Sequence, residues 1–208
     1  LVRAVEDLAL SIGRGETFAL VGESGCGKSM TALSILRLLP DNGRVAEGTI
    51  RVGDTDVVQL PEARMRDVRG RRVSIIFQEP ATSLNPVMTV GYQLTEGLLR
   101  RDRMGRAHAN AKAIEALEAV QIRDPDRVLD AYPHELSGGM GQRVMMAMML
   151  IPDPDLLIAD EPTSALDVTV QAEVLSILDA LVRDRGMGLI FISHDLRLVA
   201  RFCDRVLV

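Results

Sequence analysis

The chain holds 208 residues with a formal net charge of −5, and 47% of them are hydrophobic and 25% charged. That balance belongs to a globular chain able to bury a core, and it excludes a disordered or fibrous one. Aromatics make up only 3%, with no Trp. Together with the acidic balance this argues against a stacking platform for nucleic acid, so no nucleic-acid partner is expected.

The first strong element is an apolar run at 17–21 that ends at Gly22 and reads as a buried strand. A helix should follow over 28–39, stopped by Pro40, Asn42 and Gly43. Residues 44–72 alternate short β-like pieces, such as 49–52, with turns and a basic stretch; 73–77 is a second clear strand. The middle differs. A loop with Thr82, Ser83, Asn85 and Pro86 leads into two helical patterns, 90–99 and 106–120, and Pro125 and Pro133 punctuate the stretch beyond them. A helix should then run over 138–150, a strand over 156–159, an amphipathic helix over 168–185, a strand over 188–192 and a helix near 195–202. Strands alternating with helices imply a parallel sheet covered on both faces, interrupted by a helical insertion.

The longest apolar run, 144–151, has eight residues. A membrane-spanning helix needs about 20. No basic, apolar, then small-residue pattern opens the chain, so no signal peptide is expected. Two cysteines, Cys26 and Cys203, fit a reducing compartment. Leu1 in place of Met, and an unfinished strand at 205–208, are read as a fragment truncated at both ends.

Three segments carry chemistry. Gly22, Glu23, Ser24, Gly25, Cys26, Gly27, Lys28 and Ser29 form a phosphate-loop pattern between a strand and a helix. Its glycines let backbone N–H groups curl toward a polyphosphate, and the helix adds its positive end. Lys28 would reach the β- and γ-phosphates, and the Ser29 hydroxyl would bind Mg²⁺. Asp160 and Glu161 end an apolar strand, at the sheet edge where ligands bind. Asp160 suits Mg²⁺ through water; Glu161 is placed to orient or deprotonate the attacking water. Ser137, Gly138 and Gly139 open another helix and make a second anion site. One nucleotide rarely needs two such sites from one subunit, so the second is expected to serve a nucleotide held by a partner.

In this order the motifs resemble the ATP-binding subunit of ABC transporters. The matching parts are the phosphate loop, Leu136-Ser137-Gly138-Gly139, Asp160-Glu161, Ser164-Ala165-Leu166-Asp167, His194 after the last strong strand, and Gln78 at the end of the 73–77 strand. Phe77-Gln78-Glu79-Pro80, Ser83-Leu84-Asn85-Pro86 and Tyr132-Pro133-His134-Glu135 are similar, more narrowly, to the dipeptide, oligopeptide and nickel importer group.

The resemblance implies an α/β fold: a P-loop NTPase core with a mostly parallel sheet, an N-terminal antiparallel β subdomain and a helical subdomain insertion. Residues 1–78 and 151–208 would form the RecA-like nucleotide-binding core with the β subdomain. Residues 79–150 would form the helical subdomain with the signature. It also implies ATP and Mg²⁺, and a head-to-tail dimer with an identical or paralogous ATP-binding subunit. Two membrane permease subunits would be partners, as would, indirectly, a periplasmic solute-binding protein. The place would be the cytoplasmic face of the inner membrane, held peripherally. Gln78 would touch Mg²⁺ or the attacking water, His194 the γ-phosphate, and Asp167 would lie at the subunit boundary. Residues 79–90 would meet the permease.

Three departures stand out. No aromatic precedes Phe18 to match the family's adenine-stacking residue, so either the fragment omits it or adenine is held more weakly. Met30 follows Ser29 where a hydroxyl residue is frequent. Met140 and Gly141 replace the commoner signature residues, and Gly141 weakens a helix start by about 1 kcal/mol relative to Ala.

Two other readings compete. An ABC ATPase acting on DNA or the ribosome would carry long coiled coils or zinc modules, yet only about 57 residues separate Gln78 from Leu136, without sustained heptads. A nucleotide sensor without hydrolysis would have no use for Glu161 and His194. The arginines at 64, 66, 69, 71 and 72 have no interleaved aromatics and are expected to form a solvated face. Met145, Met146, Met148 and Met149 are expected to pack a helix.

Overall fold

The four residues Thr17–Leu20 are buried throughout and form strand β1. In the computed structural model, which describes residues 3–23, 25–77, 83–164 and 166–208, the chain divides into two units. One comprises residues 1–75, 154–161 and 185–208; the other comprises 76–153 and 162–184.

The first unit is built on a five-stranded sheet, order β4-β5-β6-β1-β7, formed by β1, β4 (Val73–Ile76), β5 (Leu156–Asp160), β6 (Gly188–Ile192) and β7 (Arg205–Leu207). β1 pairs in parallel with β6, Thr17 opposite Leu189, and with β7, Phe18 opposite Arg205. β5 pairs in parallel with β6, Asp160 opposite Ile192. Such strands are covered on both faces, which is why they read as continuous apolar runs rather than alternations. A separate antiparallel hairpin joins β2 (Arg51–Val52) to β3 (Thr55–Asp56). Helix α1 (Lys28–Leu36) lays Ala32, Ile35 and Leu36 on a core that includes Phe18, Ile158 and Ile190.

α1 ends three residues before the expected 39. Arg37 turns into the left-handed region at φ 50°. Its N–H donates to the Ser34 carbonyl at 3.1 Å, and the Leu38 N–H donates to Leu33 at 2.9 Å, which closes the helix. Arg69 then captures the last carbonyls: Nε donates to Leu36 at 2.8 Å and a terminal nitrogen to Arg37 at 3.1 Å. Arg72 donates to the Val52 carbonyl at 2.9 Å and pairs with Asp155 at 3.0 Å. Two of the five arginines therefore tie the fold together instead of lying on a solvated face.

The basic stretch also hides a helix, α2 (Glu62–Val68), which buries Met65 and Val68 one turn apart. The expected 49–52 strand shrinks to Arg51–Val52.

The second unit is helical. It contains α3 (Val90–Arg100), α4 (Arg106–Ala119), α5 (Pro125–Asp130), a short 3-10 turn at Pro133–Glu135, α6 (Gly138–Leu150) and nearly all of α7 (Val168–Arg185). Thr89 caps α3 by accepting from the Tyr92 N–H at 3.3 Å. α5 has no counterpart among the expected elements; Asp124 caps it and Pro125 takes its first position, where the missing N–H costs nothing. α7 buries Val174, Ile177, Leu178, Leu181 and Val182, a stripe at helical spacing. Met145 and Met146 are fully buried in α6, as packing residues. Among the described residues no helix is long and apolar enough to cross a membrane.

The phosphate loop, the carboxylate edge and the signature helix

β1 delivers the chain to Gly22, and the loop to Gly27 turns it into α1. Gly27 has φ +101°, and a Cβ there would lie 2.6 Å from the Ala4 carbonyl and 2.9 Å from Val5 Cγ2. Only glycine fits both the backbone and the space. Among the described residues no side chain caps α1, so the N–H groups of Lys28, Ser29 and Met30 point outward at its positive end. Lys28 lies along the loop, its ammonium donating to the Gly22 and Glu23 carbonyls, each at 2.8 Å. Cys26 is exposed, its Sγ 3.6 Å from Lys28 Nζ. Burial pushes the other thiol, Cys203, up to about 12.

The sheet brings the second group to the same unit. Asp160 ends β5, close enough to the Ser29 hydroxyl for that group to favour its charged form. Burial raises the Asp160 carboxyl above its ordinary range; the Glu161 charge pushes the same way, while Ser29 and Lys28 pull it down. Ser29 and Asp160 thus present two hard oxygens of the kind Mg²⁺ takes when phosphates and water complete its shell. A carboxylate held against burial and a like charge is one that a cation would relieve.

Glu161 follows at φ 48°, in the left-handed region. That costs an L-residue about 1–2 kcal/mol, and such strain concentrates at functional sites. Its N–H donates to the Ile192 carbonyl at 3.0 Å. Its Oε1 lies 3.2 Å from Nδ1 of His194, just past β6. The His194 side chain is 68% exposed and that of Glu161 22%, so the imidazole faces solvent and can meet an incoming anion. Ser193 and Asp195 shape this corner: the Ser193 hydroxyl accepts from the Asp195 N–H at 3.0 Å, and Asp195 caps α8 (Leu196–Phe202).

In the second unit Ser137 caps α6, its hydroxyl accepting from the Met140 N–H at 3.3 Å. Gly138 has open space, whereas a Cβ on Gly139 would lie 2.9 Å from Val170 Cγ1 at the start of α7. Gly141 meets nothing within 4 Å, so its glycine carries only a helix-propensity cost. Asp167 caps α7, its carboxylate accepting from the Thr169 and Val170 N–H groups, both at 3.0 Å. His108 and His134 are exposed, the latter stacked on Tyr132.

Of the expected site residues, Gly22, Glu23, Gly25, Cys26, Gly27, Lys28, Ser29, Met30, Asp160, Glu161 and His194 fall in the first unit. Ser137, Gly138 and Gly139 fall in the second. Ser24 and Gln78 lie outside the described residues, as do Glu79, Pro80, Thr82 and Ala165.

Asp160 has a consequence for stability. A carboxyl whose folded pKa is raised opposes folding once it ionises, so its cost appears as pH rises and is absent in acid. Asp160→Asn should therefore raise Tm at neutral pH. The gain should vanish below the ordinary carboxylate range, about pH 4. Thermal melts across pH check this, and a lower Tm at pH 7 would contradict it.

Comparison with known proteins agrees with this arrangement. The family model described as ABC transporter matches residues 5–164. A probable peptide ABC transporter ATP-binding protein of Sinorhizobium fredii is 50% identical over the whole chain, which covers 62% of that protein. A dipeptide transport ATP-binding protein of Bacillus subtilis is 48% identical, again over the whole chain and 62% of its own length. The chain thus spans less than two thirds of the length of these relatives. Among solved structures, the dimeric bacterial ABC transporter cassette MJ0796 superposes with a TM-score of 0.83 at 28% identity, covering 98% of this chain and 84% of that one. With a phosphate loop opening α1, a carboxylate pair closing β5 and a family match over most of its length, the chain belongs to the ABC transporter family.

Proposed function

We propose that this chain is the ATP-binding and ATP-hydrolysing part of an ABC importer. In this reading it energises uptake of a small solute, a dipeptide or oligopeptide, across the inner membrane of a bacterium. The observation that carries the reading is the meeting, within one unit, of the α1 start, the half-buried Asp160 carboxyl at the end of β5 and the Glu161–His194 contact at 3.2 Å. The peptide class rests on the names of the two relatives, which are a peptide and a dipeptide transport protein.

In this reading the loop N–H groups and Lys28 hold the triphosphate, with Gly22 to Met30 forming its cradle. Ser29, Asp160 and Gln78 would hold Mg²⁺, which screens phosphate charge when bound. Glu161 accepts a proton from the attacking water as its oxygen bonds to the γ-phosphorus and the bond to the β-bridging oxygen breaks. His194 steadies the γ-phosphate charge, and its contact with the Glu161 carboxylate fixes the direction of both groups. Ser137, Gly138 and Gly139 serve the nucleotide of a second ATP-binding subunit, identical or paralogous, in a head-to-tail dimer. We divide the chain into a nucleotide-binding core, 1–78 and 151–208, and a helical subdomain, 79–150, whose 79–90 segment faces two permease subunits. A periplasmic solute-binding protein would deliver the cargo. The protein would sit peripherally on the cytoplasmic face of the membrane.

The test is the association state of the full-length protein with its paired subunit. Under non-hydrolysing conditions, ATP with Mg²⁺ should convert monomers to dimers, and replacing Gly139 by Val should abolish the conversion while leaving ATP bound. Light scattering with bound-nucleotide measurement reads both. Dimerisation indifferent to ATP would sink the shared-site reading.

A further inference from the structure

Glu161 precedes Pro162, whose ring pushes the residue before it toward extended backbone. Glu161 instead holds φ 48°. A backbone in that region persists only where its surroundings over-determine it. On the N-terminal side the hold is the bond from the Glu161 N–H to Ile192. On the C-terminal side, one residue further on, the Pro162 carbonyl accepts from Gln142 Nε2 at 2.7 Å.

Gln142 lies on α6, five residues beyond Ser137, and is 1% exposed. Donation to a carbonyl fixes which end of its amide faces Pro162. The other end, Oε1, is buried without a hydrogen-bond partner among the described residues. As packing this is a poor choice, because burying the amide satisfies one of its ends and strands the other. An unsatisfied buried group of this kind calls for a reason other than stability. The turn it touches is also held from α7, where Gln171 Nε2 donates to Thr163 Oγ1 at 3.1 Å, and within itself, where the Leu166 N–H donates to the Thr163 carbonyl at 3.2 Å.

We infer that Gln142 is a positioning residue for hydrolysis: its bond to the Pro162 carbonyl holds the left-handed backbone of Glu161 and so aims that carboxylate. This rests on Glu161 being the general base of the reading above. Gln142 touches neither nucleotide nor water in this role; it acts through Pro162.

The experiment compares Gln142→Met, alone and with Glu161→Gln, in the full-length protein with its paired subunit. Met keeps the length and removes both the donor and the orphaned oxygen. We expect kcat to fall about 10–100-fold, the effect of misplacing a reacting group. The KM for ATP should stay within about twofold, and Tm should not drop. In the Glu161→Gln background the same change should cost less than about twofold, since the group it aims is gone. Gln142→Leu is the second variant, should Met pack badly. Unchanged kcat in either folded variant overturns the inference. So does a loss that accompanies a lower Tm and persists at full size with Glu161→Gln. If Glu161→Gln itself turns over normally, the hydrolytic reading fails; if only the Gln142 variants are silent, this link alone fails.

Discussion

Glu161→Gln should lower ATP turnover by about 10²–10⁴-fold, the usual worth of a general base, while ATP still binds. The amide keeps the shape of the carboxylate, so the left-handed backbone and the Ile192 hydrogen bond need not change. The loss is confined to the group that takes the water proton. In the proposed reading Lys28 and the start of α1, not Glu161, hold the phosphates, so the affinity for ATP should stay within about threefold, less than 1 kcal/mol. Phosphate release and equilibrium ATP binding, measured on the same preparation, separate the two effects. Undiminished turnover would remove Glu161 from the chemistry, and a parallel loss of binding would make it a ligand rather than a base.

The second large effect is expected at Gly27. Gly25 and Gly27 both have positive φ, +85° and +101°. They differ in surroundings: nothing lies within 4 Å of a Cβ at position 25, whereas one at 27 meets the Ala4 carbonyl at 2.6 Å. Gly25→Ala should therefore cost only conformational strain, about 1–2 kcal/mol. Gly27→Ala adds a backbone clash worth about 1–3 kcal/mol more, and relieving it must shift the loop against residues 4 and 5. ATP affinity should fall by tenfold or more in Gly27→Ala, since each factor of ten needs only about 1.4 kcal/mol. The Tm should drop further than in Gly25→Ala. Calorimetric melts and ATP titrations on the pair test this; equal behaviour of the two variants would mean that the packing of residues 4 and 5 on the loop carries no weight.

Long regular elements are legible in the sequence because their burial is one-sided or complete along a run. The 168–185 helix and the 188–192 strand have the same bounds in sequence and structure. Short elements escape such reading for local reasons. α2 has only two buried side chains, Met65 and Val68, among charged neighbours, too few to show a period. α5 is signalled by Asp124-Pro125, a cap followed by proline, but a proline marks a helix start and a helix break alike. The end of α1 depends on Arg69, 33 positions from the Leu36 carbonyl it captures, and no local pattern carries such a contact.

The candidate site divides in the same way. Spacing alone sets Lys28 and Ser29 at a helix start and Asp160 at a strand end. It cannot give the approach of Glu161 to His194, which depends on β5 and β6 being neighbours in the sheet. Gln142 stands out in the sequence only as a polar residue beside the buried run of Val144, Met145 and Met146 in α6; its link to Pro162 is tertiary.

The two thiols have opposite characters, Cys26 open to solvent and Cys203 held in its protonated form far beyond neutrality. At ordinary pH a maleimide should therefore modify Cys26 in preference to Cys203. If residues 22–30 cradle the triphosphate, that adduct should block ATP binding by crowding, and unchanged nucleotide affinity after full modification would contradict it.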